Sequence, residues 1–194
     1  SASLPLIYLT DKNKPSPMTA PNFCMLLRKH IGSARIVDIS QPGLERIIQF
    51  ELEHLDEMGD LCRKKLIVEI MGKHSNIIFC KEDGTIIDSI KHVSAQVSSV
   101  REVLPGRTYF IPQTVAKENP LTVTGETFRR TIGASSMAVQ KALYNHLTGI
   151  SPIMAEEICH LASIDSDYGA SELSETELLH LYHTFSLVME DVKE

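Results

Sequence analysis

Residues 65–79, KLIVEIMGKHSNIIF, decide the fold class of the first part of this chain. The stretch begins and ends with apolar, β-branched runs, which are typical of strands with buried faces. Between the runs, Gly72 allows a turn or a bulge, and four consecutive polar residues follow it. This insertion is either a solvated turn or a set of hydrogen-bond donors that faces an anionic partner, and the local pattern favours the turn.

Short strands flank this stretch on both sides. Apolar and polar residues alternate over residues 44–55, as expected for a strand with one buried face. Turn residues at 41–43, 56–60 and 81–84 separate the strands. Pro21 suits the first turn of an early helix, and Gly32 suits its end. The pattern predicts an α+β domain with a mainly antiparallel sheet over residues 1–112. Its strands are predicted at 6–9, 34–40, 44–55, 61–71, 76–80, 85–93 and 109–111.

The periodicity becomes helical after a linker at residues 112–120. Helices are predicted over 124–132, 136–147, 151–162 and 174–192, which form an all-helical second domain at 121–194. Ser151 and Pro152 are typical of a helix start, and Ser174 with Glu177 forms a capping box.

A stripe of apolar residues along the last predicted helix indicates packing rather than a cofactor site. Its members are Leu178, Leu181, Tyr182, Phe185, Val188 and Val192.

The short turn at residues 147–151 joins two of these helices in the manner of a helix-hairpin-helix. Such a turn can present backbone N–H groups to a phosphate. Glu156 and Glu157 follow immediately and would repel a phosphate, so a packing role is favoured.

Composition limits the classes of function. The net charge is −6, yet residues 111–194 alone carry −7, from five Lys or Arg against twelve Asp or Glu. A nucleic-acid surface is therefore expected as a local patch in the first domain. The four cysteines are scattered and predict reduced thiols, and no apolar run is long enough to cross a bilayer. No secretory signal opens the sequence, which indicates a cytoplasmic location.

The first residues, SASLPLIYL, have no initiator methionine and run directly into a strand-like pattern. We expect that the sequence begins inside a domain and that the strand at 6–9 has lost its partner.

No catalytic or metal-binding motif is present in the sequence. Phosphate-binding loops, nucleophile elbows and zinc-type His or Cys spacings are all missing, so neither an enzyme nor a bound cofactor or metal is predicted. Arg46, Lys73, Arg101 and Arg107 are suitable for a cationic surface that contacts a phosphate backbone. The alternative for Glu45 and Arg46 is an ordinary surface ion pair.

Four segments in order resemble the NFACT family, whose bacterial members are the RqcH proteins, also called fibronectin-binding protein A. They are residues 22–30 (NFCMLLRKH), 43–48 (GLERII), 68–78 (VEIMGKHSNII) and 103–106 (VLPG). The resemblance runs from about residue 20 to the end. It implies a first domain similar to the N-terminal domain of Fpg-type DNA glycosylases, truncated at its start, and a helix-hairpin-helix domain after it.

The same resemblance implies a role in ribosome-associated quality control. Family members bind large ribosomal subunits obstructed by peptidyl-tRNA and recruit tRNA, which is alanyl-tRNA in bacteria, so that the stalled peptide is extended at its C-terminus. The family uses an Asp-Arg pair for this step, and Glu45 and Arg46 occupy that place here, with one extra methylene on the acid. They are the predicted tRNA-binding residues. Candidate RNA or ribosome contacts are Lys73, His74, Ser75, Asn76 and Arg101.

Two other functions compete with this one. The family's older name suggests a surface adhesin that binds fibronectin, but the sequence has no signal, anchor or disulfide pattern to support it. A DNA-repair enzyme is suggested by fold analogy only, and fold does not determine function.

Overall fold

The structure, a computed structural model, describes residues 6–111 and 116–193. Within them the chain forms two compact units. The first contains the residues up to Pro42 and those from Arg46 to 111, and the second contains Gly43–Glu45 and the residues from 116 onward. The division thus falls inside the GLER sequence, between Glu45 and Arg46.

The first unit contains an antiparallel meander of five strands, in the order β1-β2-β3-β4-β5, as far as its described residues show. The antiparallel sheet predicted from the sequence is confirmed. Its strands are β1 (Arg35–Ser40), β2 (Ile47–Leu55), β3 (Leu61–Glu69), β4 (Asn76–Lys81) and β5 (Ile86–Ser89). The register places Ile67 of β3 opposite Gln49 of β2 and Ile78 of β4, so β3 lies at the centre.

One face of this sheet carries the buried core of the first unit. Ile47, Ile67, Ile78 and Ile86 share it, and Val103 packs against them from the segment that follows β5. This segment crosses the face without forming a regular strand. It is held by single bridges, including reciprocal backbone hydrogen bonds between Val93 and Val103 of 3.0 and 2.7 Å.

Helix α1 (Asn22–Ile31) lies near the other face of the sheet. The centroid of the His30 ring is 6.0 Å from that of the fully buried Phe79. The basic residues of the last turn of α1, at positions 28–30, complement the negative end of the helix dipole, as predicted. Burial, followed by the charge of Lys64, lowers the pKa of His30.

Two predicted strands are wrong, and three extend two or more residues beyond the observed ones. Residues 6–9 are irregular and Leu9 is fully exposed, because they pair with none of the described strands. Residues 109–111 form no strand. The backbone bonds that reach this part of the chain lie at or before its start, at an isolated bridge between Thr85 and Thr108 and at a hydrogen bond of 2.9 Å from the Tyr109 N–H to the Gly84 carbonyl.

The predicted strands at 44–55, 61–71 and 85–93 begin earlier or end later in the sequence than the observed strands. The first starts late because residues 43–45 belong to the other unit. The second stops at Glu69 before the turn that contains Gly72, and the third is reduced to Ile86–Ser89.

The second unit consists of helices around one apolar core. They are α2 (Gly125–Phe128), continued by a π-helical turn at Arg129–Gly133, then α3 (Val139–His146), α4 (Pro152–Leu161) and α5 (Glu175–Lys193). Each of the four predicted helical stretches overlaps one of these helices, and α5 extends one residue beyond its predicted end. Phe128, Leu143, Ile158, Leu181 and Phe185 are fully buried in the core.

The predicted helix starts are observed in detail. The Ser151 hydroxyl accepts a hydrogen bond from the Met154 N–H at 3.1 Å, with Pro152 in the first turn. Ser174 and Glu177 cap each other's backbone, at 3.2 Å from the Glu177 N–H to the Ser174 hydroxyl and 2.8 Å from the Ser174 N–H to the Glu177 carboxylate. The Ser174 hydroxyl also donates a hydrogen bond of 2.6 Å to the Glu177 carboxylate, and this bond, followed by the one from the Ser174 N–H, lowers the pKa of Glu177. Of the predicted stripe on α5, Val192 is exposed instead, and Met189 is buried in addition.

Replacing Ser174 with alanine removes the acceptor for the first turn of α5. We expect Ser174→Ala to lower the free energy of unfolding by about 1 kcal/mol, as for other N-cap serines. Urea denaturation followed by circular dichroism measures it. Ser171→Ala, at a nearby exposed serine, is the matched control, and equal effects of the two changes would contradict the assignment of the cap.

The contribution of the capping box also depends on pH. Because folding lowers the pKa of Glu177, its contribution is present above the pKa of the unfolded carboxyl and is lost as pH falls through the folded value. The stability difference between Glu177→Gln and the unmodified chain is therefore expected to shrink on acidification. A difference that is constant between pH 7 and pH 3 would contradict this.

Candidate nucleic-acid interface

Arg46 lies at the surface of the first unit, directly before β2. Its carbonyl accepts a hydrogen bond of 2.8 Å from the Ile70 N–H, which ties it to the end of β3. The guanidinium is therefore carried by the sheet and is open to solvent. Glu45 is partly buried in the short segment Gly43–Glu45, which belongs to the helical unit.

The polar insertion of residues 71–76 forms a tight turn between β3 and β4. Gly72 has a φ of +56°, and residues Gly72–His74 form one 3-10 turn. The Ser75 hydroxyl accepts a hydrogen bond of 2.9 Å from the Met71 N–H, which closes the turn. Lys73 and His74 are exposed at its tip. The turn prediction is confirmed, and the turn presents two basic side chains.

Asn76 has an internal structural role. Its side chain is buried and bonds both backbone groups of Lys91, accepting from the N–H at 3.0 Å and donating to the carbonyl at 2.9 Å. These two hydrogen bonds anchor the segment that follows β5 to the start of β4. Asn76 and Ser75 are both predicted as possible RNA contacts, but the Ser75 side chain closes the turn and the Asn76 side chain holds the segment after β5.

Four basic residues are exposed at this end of the sheet. The Lys91 ammonium donates a hydrogen bond of 3.0 Å to the Lys73 carbonyl, so the two lysines are adjacent. We call Arg46, Lys73, His74 and Lys91 the basic end of the sheet. Clustered surface cations of this kind are the electrostatic requirement for binding a phosphate backbone.

A buried ion pair lies behind the basic end. Glu69, the last residue of β3, has a fully buried side chain, and its carboxylate is 2.5 Å from the Arg101 guanidinium. Tyr109 donates its hydroxyl to the second carboxylate oxygen at 2.9 Å, and Arg101 also donates to the Phe110 carbonyl at 3.0 Å. The Arg101 guanidinium also lies 5.6 Å from the centroid of the Tyr109 ring.

These contacts change the ionisation of the cluster. Burial alone would lower the pKa of Arg101, but the hydrogen bond and charge of Glu69 raise it overall. Burial and the same carboxylate raise the pKa of Tyr109 well above its usual value. Arg101, a predicted RNA contact, is thus committed to an internal pair with only 11% of its side chain exposed.

Sequence reasoning missed Glu69 and Tyr109. The available signal was a glutamate at a position that shares a face with Ile67 in a strand where the neighbouring residues are apolar. A carboxylate at such a position needs a buried cation, but the sequence does not say which of the many arginines and lysines supplies it.

The thiols of this chain are poor nucleophiles where they are buried. Burial raises the pKa of Cys80 to about 12 and that of Cys159 to about 11. Across residues 6–111 and 116–193, no group of three His, Cys, Asp or Glu side chains is arranged to hold a metal ion. No helix in the described part of the chain is both long and apolar enough to cross a bilayer.

Removing the cation from the buried pair tests its structural role. We expect Arg101→Met to lower the free energy of unfolding by about 3–5 kcal/mol, because it leaves the Glu69 carboxylate buried without a counter-charge. Guanidinium denaturation measures it. Adding Glu69→Gln is expected to recover part of the loss.

Arg107→Met is the matched control. Arg107 pairs with Glu102 at the surface, at 3.0 Å, so its loss is expected to cost at most about 1 kcal/mol. Similar losses for the two arginines would show that burial does not distinguish the pairs.

A family profile described as NFACT N-terminal and middle domains matches residues 1–194. The chain is 39% identical over 159 residues to the "Rqc2 homolog RqcH" of Bacillus subtilis, a match that covers 81% of this chain and 28% of that relative. It is 27% identical over 151 residues to the mouse "Ribosome quality control complex subunit NEMF", covering 77% of this chain and 13% of that relative.

Among solved structures, the chain is similar to the N-terminal part of the fibronectin/fibrinogen-binding protein from Streptococcus suis. The TM-score is 0.70 at 34% identity, and the match covers 91% of this chain and 62% of that one. The chain thus spans between about a tenth and three tenths of the length of the curated relatives above.

Proposed function

The chain belongs to the NFACT family, and we propose that it is the RNA-binding N-terminal region of a ribosome-associated quality-control factor. The names of the relatives support the process, since they are homologues of Rqc2 and a subunit of the ribosome quality control complex. In this proposal the partners are the large ribosomal subunit, peptidyl-tRNA and alanyl-tRNA, and the setting is the cytoplasm. The reaction itself belongs to the ribosome, so the region binds RNA and is not an enzyme.

The exposure of Arg46 is the observation that carries this proposal. A buried and neutralised arginine at this position could not reach a polynucleotide, whereas the observed side chain lies in solvent at the basic end of the sheet. Lys73, His74 and Lys91 add positive charge at the same end. Arg46 would bind phosphate or stack on a base. Glu45 would either orient Arg46 or accept a hydrogen bond from a ribose or a base.

The fold supports the same proposal at a finer level. The five-stranded sheet would correspond to the glycosylase-like first domain, and α3, the turn after it and α4 would form a helix-hairpin-helix. The observed pair of α3 and α4, joined by a short turn that contains Gly149, is suited to this assignment. Catalytic activity does not follow, because a fold does not carry chemistry without its reactive side chains.

Binding of deacylated tRNA tests the basic end of the sheet directly. We expect the affinity to fall steeply with salt, and Arg46→Ala or Lys73→Ala each to lower the slope of log K against log salt by about 1. Fluorescence anisotropy with labelled tRNA over a range of salt concentrations measures both effects.

Lys81→Ala is the matched control, since Lys81 is an exposed lysine at the opposite end of β4 from the turn. If Lys81→Ala changed the slope as much as Lys73→Ala, tRNA binding would depend on overall positive charge and not on the basic end of the sheet. Binding that is insensitive to salt would exclude phosphate contacts as its source.

Alanine tailing tests the finer part of the proposal in the full-length protein. We expect Glu45→Ala or Arg46→Ala to abolish C-terminal alanine tails on a stalled reporter while sedimentation with large subunits is kept. Tails of unchanged length in either variant would exclude this pair from tRNA recruitment.

A second candidate function is suggested by the name of one structural relative, which is a fibronectin/fibrinogen-binding protein. It predicts display at the cell surface. Proteolysis of intact cells distinguishes the two proposals, because a protein that is fully protected until lysis is not acting as an adhesin.

A further inference from the structure

The turn between α3 and α4 is covered by other parts of its own unit. Glu118 lies along it, donating its N–H to the His146 carbonyl at 2.8 Å and accepting from the Thr148 N–H at 3.0 Å. The Thr148 N–H is therefore satisfied within the protein. The turn does not offer this group to a phosphate, which agrees with the packing role favoured from the sequence.

Gly149, the next residue of the turn, is in close contact with Leu44. A Cβ added to Gly149 would lie 2.4 Å from the Leu44 Cβ and 2.5 Å from the Leu44 carbonyl oxygen. These distances are too short for any side chain, and the oxygen is a backbone atom that can move away only if the segment itself moves. Gly149 also has a φ of +76°, which glycine adopts at little cost.

The segment that Gly149 contacts is the one that carries Glu45. Residues Gly43–Glu45 belong to the helical unit, although the residues on both sides of them belong to the sheet unit. Leu44 packs against the helical core, and Gly43, with a φ of +52°, lies beside the Asn119 side chain, where an added Cβ would be 3.5 Å from the amide nitrogen. The helical unit therefore contacts this segment at two consecutive residues.

We propose that the α3–α4 turn is a positioning element for the tRNA-binding pair. Because Gly149 has no side chain, Leu44 can pack directly against its backbone. This contact fixes the position of Glu45, the residue after Leu44, and Arg46 is the next residue in the chain. The hairpin thus acts on RNA indirectly, through the protein segment that it holds. The inference rests on the proposed function of Glu45 and Arg46.

Gly149→Ala in the whole chain is the principal test. The added methyl group displaces Leu44, so we expect faster hydrogen exchange at the amides of residues 44–46 and about a tenfold loss of tRNA affinity at low salt. Leu44→Ala keeps Gly149 and removes the side chain that packs there, and it is expected to have the same effects in smaller measure. It serves as the second variant if Gly149→Ala folds poorly.

Gly59→Ala is the matched control. Gly59 has a φ of +86°, similar to that of Gly149, but an added Cβ would have no atom within 4 Å. It therefore imposes the backbone strain without the contact. We expect its tRNA affinity and the exchange at residues 44–46 to equal those of the unmodified chain.

The double variant Glu45→Ala/Arg46→Ala, used as a background, distinguishes failure of this inference from failure of the function on which it rests. In Glu45→Ala/Arg46→Ala, adding Gly149→Ala is expected to cause no further loss of tRNA affinity, because the positioned side chains are already gone. A further tenfold loss there would overturn the positioning role, as would unchanged exchange at residues 44–46 in Gly149→Ala. Unchanged affinity in Glu45→Ala/Arg46→Ala itself would overturn the proposed function, while the exchange data would still decide whether the turn holds the segment.

Discussion

The buried carboxylate of Glu69 is the constraint on which the first unit depends. Glu69 is the last residue of the central strand, and its side chain is buried, so a carboxylate there without a counter-charge would destabilise the fold by several kcal/mol. Arg101 and Tyr109 satisfy it, and both lie in the segment that follows β5. Because Val103 lies between them in sequence, the same contacts bring its side chain onto the apolar face of the sheet. Ionic and apolar burial therefore determine one path for the segment.

This path also determines which polar residues remain for function. Asn76 binds the backbone of Lys91, and Ser75 closes its own turn, so both side chains are used to build the end of the sheet. Lys73 and His74 are left exposed at the tip of the turn, next to Lys91 and at the same end as Arg46. In a cluster of neighbouring polar residues, the inner members support the outer ones, and only the outer ones can meet a ligand.

The division between the units passes through the pair that the family resemblance singles out. Glu45 belongs to the helical unit, and Arg46 belongs to the sheet unit and directly precedes β2. A short glycine turn that resembles a phosphate-binding hairpin is occupied here by Glu118 and Leu44. In this unit, the same backbone geometry that can bind a ligand serves instead to hold another part of the chain.

The sequence alone determined the elements whose signals are local. Alternation specified β2, and apolar β-branched runs specified β3 and β4. Turn residues separated these strands, and side-chain capping at Ser151 and Ser174 marked two helix starts, because each of these signals joins residues a few positions apart. Tertiary structure decided the rest. Residues 6–9 form no strand, and Arg101 is buried in an ion pair with Glu69 instead of lying at the surface. Gly149 packs against Leu44. These outcomes depend on contacts between residues that are distant in the sequence, and the local pattern does not show which distant residue will be the partner.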